Sequence, residues 1–161
     1  MLSIGPEEKK RWMLLAMEQA KYCVSKDEVP VGAVIVHRGE IIGWGHNLRE
    51  STRHTSSHAE MNALWEYNNA FKQWRFKPEV SLFVTTEPCL MCTGAFLWAR
   101  VDAIYYGCRD PRKAGIERIK PLIDEGVFDH RIKLLEGDVL GEECATLLTD
   151  YFAGKRREET C

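Results

Sequence analysis

Thr86-Glu87-Pro88-Cys89-Leu90-Met91-Cys92 is the stretch from which the rest of the chain can be read. A nearly continuous apolar run from Val80 to Val84 leads into it, and a second, Leu90 to Val101, leads out. At such a strand-to-helix junction Pro88 falls at or near the first helical position, where its missing N–H is no loss. Cys89 and Cys92 then stand at i and i+3, with both sulfurs on one face of the first turn. The partial positive charge of a helix N-terminus favours thiolate over thiol, so the turn offers two anionic sulfur donors.

A third donor comes earlier, at Ser57-His58-Ala59-Glu60. This is another polar-to-apolar boundary, with Ser56 or Ser57 as the expected cap and Met61, Ala63, Leu64 and Trp65 as the apolar body of a helix. His58 supplies one nitrogen. Glu60, two residues on, projects about 200° around an ideal helix, so it does not share an ion with His58 and instead reaches the space beside it. Alone, Cys-x-x-Cys also fits a structural zinc knuckle, a redox pair or two buried thiols, and His-x-Glu alone says little. Together, one His and two Cys make three protein ligands, which with a water describe a catalytic zinc site rather than a closed structural one. Mixed nitrogen and thiolate ligation favours zinc over other metals.

Length and composition bound the surroundings of that site. A chain of 161 residues is enough for one domain with a full core and short for two, so a single domain over 1–161 is expected. No apolar run approaches the ~20 residues that span a bilayer, and the N-terminus turns acidic at Glu7 and Glu8. A cytoplasmic protein with no membrane partner is the expectation. The six cysteines then do not imply a disulfide framework. Cys23, Cys108 and Cys144 read as buried thiols and Cys161 as exposed. A net charge of −2 argues against general affinity for nucleic acid, so any polyanion has to be met by a local patch.

Hydrophobic periodicity places the remaining elements. Residues 6 to about 26 read as a helix opened by Pro6, and 31–37 with 41–44 as a β-hairpin across Arg38-Gly39-Glu40. A polar loop covers 46–57, and the His58 helix runs to about Phe71. Further strands are expected at 79–86, 101–107 and 131–135, with helical turns at 116–123 and a last helix from Glu142 to about Arg156. Alternating helices and strands after a hairpin imply an α/β fold of three layers, a five-stranded mixed sheet flanked by helices. The metal-bearing segments would then meet at helix N-termini along one edge of the sheet. Thr93-Gly94-Ala95-Phe96-Leu97-Trp98-Ala99 is apolar on most sides, and a helix of that kind wants cover on more than its sheet face. A homodimer is expected to supply it.

These residues resemble the zinc nucleobase deaminases, whose pattern is His-x-Glu followed by Pro-Cys-x-x-Cys. The chain is identified as a member of the cytidine deaminase-like superfamily and resembles, within it, the bacterial tRNA-specific adenosine deaminases. The resemblance extends from Glu28-Val29-Pro30-Val31-Gly32-Ala33-Val34 through the zinc motifs to the C-terminal helix. It includes Gly45-His46-Asn47, Tyr106-Gly107-Cys108-Arg109-Asp110, Phe128-Asp129-His130-Arg131, Glu142-Glu143-Cys144-Ala145 and Asp150-Tyr151-Phe152. Two stretches depart from the family. Arg112 to Arg118 is less rich in Gly and Ser than the usual loop, and Ser56-Ser57 replaces a Thr-Ala type pair before His58.

The resemblance implies Zn2+ held by His58, Cys89 and Cys92, with Glu60 as the catalytic proton carrier. It implies a tRNA anticodon stem-loop as substrate, with adenosine converted to inosine at the wobble position. The alternative is a free base or nucleoside such as guanine, cytosine or adenosine. Asn47 takes the family's position for holding the target nucleoside, though an Asx turn is its ordinary role. Asp110 takes a position facing ribose or RNA backbone. Val31 and Pro88 are expected to line the base pocket and Phe152 to stack near the substrate. Lys155, Arg156 and Arg157, with Arg112 and Lys113, are candidates for phosphate contact.

Overall fold

Alternation along three central strands separates two cores. In a computed structural model describing residues 4–112 and 114–160, Ala33 and Ile35 of β1 (Gly32–His37) face one side while Val34 and Val36 face the other. Leu82 and Val84 of β3 (Val80–Thr86) oppose Phe83 in the same way, as Ile104 and Tyr106 of β4 (Ala103–Cys108) oppose Tyr105. A sheet buried on both faces needs a layer of helices on each. Lys113 and Cys161 lie outside the described residues.

The sheet has five strands in the order β2-β1-β3-β4-β5, with β2 spanning Glu40–His46 and β5 Leu134–Glu136. β1 runs antiparallel to both β2 and β3, while β3, β4 and β5 run parallel. The β1–β2 turn has positive φ at Arg38 and Gly39, the geometry that matches hairpin twist. On one face lie α1 (Pro6–Val24) and the C-terminal helix, which pack Trp12, Met13, Ala16 and Cys144 over Phe83 and Tyr105. On the other lie α3 (Ala59–Phe71), α4 (Leu90–Ala99) and α5 (Ile116–Asp124). The three-layer mixed sheet is as the patterning predicts.

Several details differ from the sequence reading. The polar loop 46–57 contains a short helix, α2 (Arg49–Thr52), too brief to show periodicity. The fifth strand begins at Leu134 rather than Arg131, with the N–H groups of Lys133 and Leu134 both meeting the Asp102 carbonyl at its entry. The last helix, α6, spans Gly141–Glu159 and so extends past Arg156. Neither Ser56 nor Ser57 caps α3. His58 is itself the N-cap, and the Ser57 hydroxyl bonds the Asn62 side chain. Pro88 is not the first helical residue either: Cys89 is the N-cap of α4, with Leu90 the first residue inside it. Both shifts matter, because they place a metal donor at the N-cap of each helix.

Close approach of α3 to the sheet fixes one of those caps. A Cβ on Gly45 would stand 2.3 Å from the Ala59 carbonyl oxygen and 2.4 Å from the Ala63 nitrogen. Only a glycine lets the first turn of α3 lie directly on β2, one residue after His58.

Candidate metal centre and active site

Two chain segments deliver the three donors. α3 opens at His58 and α4 opens at Cys89, each with extended backbone at the cap. Cys92 sits in the first turn of α4, fully buried, while His58 and Cys89 are half-buried. The His58 Nδ1 atom lies 3.6 Å from the sulfur of Cys89 and 3.6 Å from that of Cys92. All three donor atoms lie within 4.8 Å of one another. Donors of a tetrahedral zinc at about 2.0 Å for nitrogen and about 2.3 Å for sulfur stand about 3.6 Å apart, so the cluster fits that ion.

The electrostatics agree with a cation at this point. A hydrogen bond from Cys92 and another from His58 hold the Cys89 thiol down at about 4. Cys92 shares that bond and is buried beside the resulting thiolate, so its own thiol is pushed up. A cation between the sulfurs is what allows both to be thiolates at once.

Glu60, on the first turn of α3, is only 3% exposed. Burial pushes its carboxyl up to about 7, with the neighbouring Cys89 charge adding and the His58 charge opposing. A carboxyl near neutrality can both take and give a proton within one reaction.

These groups line a cavity of about 450 Å³ whose wall includes His58, Ala59, Glu60 and Cys89. Val29, Val31, Asn47 and Arg49 form a second wall, and Asp110, Pro111 and Arg112 a third. Leu148 and Phe152 of α6 border the opening, with Phe152 45% exposed. The cavity thus brings together His58, Glu60, Cys89, Val31, Asn47, Asp110 and Phe152. Neither Cys92, the buried third donor, nor Pro88 is among the lining residues. Pro88 is buried under the cavity edge, where its carbonyl accepts the Ile116 N–H at 2.9 Å.

Two of the expected substrate residues carry structural bonds as well. Asn47 accepts the Arg49 N–H at 3.2 Å in an Asx turn and donates its amide to the Val29 carbonyl at 3.1 Å. Asp110 accepts the Arg112 N–H at 2.9 Å and holds the Arg112 guanidinium through both carboxylate oxygens, at 3.0 and 3.2 Å. That pairing, foremost, holds the Asp110 carboxyl below its ordinary value. Lys155 is drawn away from the cavity into an ion pair with Asp27 at 2.5 Å.

Two buried carboxylates that position the site escape sequence reading. Glu87, 5% exposed, accepts the N–H of Asp110 at 3.0 Å and that of Glu117 at 3.1 Å. It packs so closely on Gly115 that a Cβ there would meet its carboxylate at 2.5 Å. Glu28, fully buried, accepts the N–H of Ser51 at 2.6 Å and of Glu50 at 3.1 Å, and so anchors α2 beside the cavity. Their partners are backbone groups more than twenty positions away, which no local pattern displays. The one available signal for Glu87 is a charge set between a buried strand and Pro88.

A mixed sheet with a histidine and two cysteines at adjoining helix starts, and a buried glutamate beside them, defines a zinc-dependent deaminase. Residues 6–108 match the family described as the cytidine and deoxycytidylate deaminase zinc-binding region. The chain is 38% identical over 148 residues to the tRNA-specific adenosine deaminase of Bacillus subtilis, covering 92% of this chain and 91% of the relative. It is 36% identical over 154 residues to that of Streptococcus pyogenes serotype M1, covering 95% and 89%. A solved structure from a study of A-to-I editing by tRNA:A34 deaminases at the wobble position superposes with a TM-score of 0.77 at 33% identity. That match covers 86% of this chain and 99% of the other. The chain belongs to the family of tRNA-specific adenosine deaminases.

Proposed function

We propose that the protein deaminates adenosine to inosine at the wobble position of a tRNA anticodon loop, with water as co-reactant and ammonia as product. The observation that carries this reading is a match to tRNA-specific adenosine deaminases over 92% of the chain, with His58, Glu60 and Cys89 lining one cavity and Cys92 beside them. His58, Cys89 and Cys92 would hold the zinc. Bound there, zinc would supply a water activated near neutral pH and a Lewis acid.

The chain's own groups supply the rest. Glu60 would take the proton of the attacking water and pass it to N1 of adenine, then take the proton of the new C6 hydroxyl and give it to the amine that leaves as ammonia. Its burial keeps the carboxyl in a range where both transfers are possible. Asn47, with one amide hydrogen and further acceptor capacity left over from its turn, holds the nucleoside edge. Val31 gives an apolar wall to the base, and Phe152 at the mouth offers a stacking face. Asp110 orients Arg112 toward the rim, where phosphate would pass.

The active form is a homodimer in the cytoplasm. No helix among the described residues is long and apolar enough to cross a membrane. α4 carries no charged residue and leaves Leu90 53% and Trp98 74% exposed, an apolar surface that a second copy would cover.

The test is ammonia release by zinc-loaded protein offered an anticodon stem-loop with adenosine at the wobble position, beside free adenosine, cytosine and guanine. Deamination confined to the stem-loop is expected. Turnover of a free base and not of the stem-loop would refute the RNA substrate.

A further inference from the structure

At the opposite end of the sheet from the metal lies a groove of about 920 Å³ between the C-terminal ends of α3 and α4 and the loop 72–78. Its lining includes five cations, Lys72, Arg75, Lys77, Arg100 and Lys133, against one carboxylate, Asp102. That balance is unusual in a chain whose net charge is −2.

Asp102 is already committed. It accepts the N–H of Glu79 at 2.6 Å and of Val80 at 3.3 Å, and it pairs with Lys133 at 2.6 Å. Lys72, Arg75, Lys77 and Arg100 form no ion pair among the described residues. Lys72 and Arg100 cap α3 and α4, where a positive charge complements the helix dipole. The dipoles do not account for Arg75 and Lys77, which stand in the loop beyond the α3 cap. Four like charges around one groove repel each other unless an anion from outside joins them.

An aromatic ring narrows the class of anion. Trp74 lines the same groove 64% exposed, with the Arg75 guanidinium 5.5 Å from its ring centroid. Basic side chains around an open aromatic face match nucleic acid with an unpaired base, since phosphates take the cations and the base stacks on the ring. A folded acidic protein would leave the indole without such a partner.

We propose that this groove holds a second stretch of the substrate RNA, with its backbone on Lys72, Arg75, Lys77 and Arg100 and an unpaired base on Trp74. The inference rests on the reading of tRNA as substrate and adds a contact remote from the deaminated nucleotide. β3 links the two sites, and its seven extended residues span about 23 Å.

The experiment compares full-length tRNA with a minimal anticodon stem-loop, using wild type, the double variant Arg75→Glu/Lys77→Glu, and Trp74→Ala. Equilibrium binding is titrated without turnover across a salt series, and deamination is measured separately. For the double variant, the affinity for full-length tRNA should fall at least tenfold. The slope of log K against log salt should become shallower by about two, one per lost phosphate contact. Trp74→Ala should weaken binding with the slope unchanged. Zinc content and turnover of the minimal stem-loop should match wild type in both. Should charge reversal disturb folding, Trp74→Ala alone decides. Unchanged affinity for full-length tRNA in the folded variants overturns the proposal, as does competition by polyglutamate equal to that by RNA. Failure of wild type to deaminate the stem-loop would instead strike the functional reading, while the binding titration still reports on the groove.

Discussion

At the scale of single residues, the proposed roles divide between Glu60 and the three candidate metal donors. His58, Cys89 and Cys92 meet through their donor atoms, while Glu60 enters the same cavity as a buried carboxyl one step around the helix. Glu60→Ala should therefore bind zinc as wild type does and lose turnover by about 10²–10⁴-fold, the usual contribution of a positioned acid–base group. Metal analysis of the purified variant alongside its rate checks this, and loss of zinc would refute the assigned role. Glu28 makes a pH prediction of its own. Burial alone would raise its carboxyl, but the N–H bonds from Ser51 and Glu50 outweigh burial and leave it below the ordinary value. Stability from such a group is complete above the ordinary carboxylate pKa and is lost as pH falls through the lower folded one. Glu28→Gln should accordingly lower the melting temperature at neutral pH and flatten its decline on the acid side, measured by thermal melts from pH 7 downward.

Elements hold those residues in place through close backbone contact. α3 begins on top of β2, and Gly45 is the position where a side chain would collide with its first turn. Gly45→Ala should cost about 1–3 kcal/mol, the range for overpacking a tight contact, and lower the melting temperature by several degrees. A melting temperature equal to wild type would show that α3 can move aside at no cost. Glu87 acts between elements in the same sense. It ties the turn after β3 to the loop after β4 and to the start of α5, so that Asp110 and Arg112 face the metal across one cavity.

The whole molecule presents three surfaces of different character: a metal cavity at one end of the sheet, a basic groove at the other, and the apolar outer face of α4. Trp98, 74% exposed, is the largest uncovered ring on that helix. Trp98→Glu should convert the proposed dimer to monomer in sedimentation at micromolar concentration with zinc content retained, because a charge cannot be buried there unpaired. A monomeric wild type would refute the dimer.

Local chemistry in the chain was enough to single out His58, Glu60, Cys89 and Cys92 as candidates, and to order the strands and every helix but α2. Ligand spacing in a turn and alternation on a buried strand are short-range patterns, and each is written in consecutive residues. The same patterns place both helix starts a residue or two early. Pro88 and Ser57 are good opening residues, yet His58 and Cys89 take the caps and bring their side chains together. Tertiary structure alone decided what surrounds the metal. No local pattern marks Glu28 or Glu87 as buried, and only backbone N–H groups from distant loops give them their partners. The basic groove is likewise invisible in a chain of net charge −2, because Lys72, Arg75 and Lys77 are joined by Arg100 and Lys133 only when α4 and the approach to β5 fold beside them. Periodicity reports what each element buries, whereas a site made by several loops depends on distances that only the packed sheet sets.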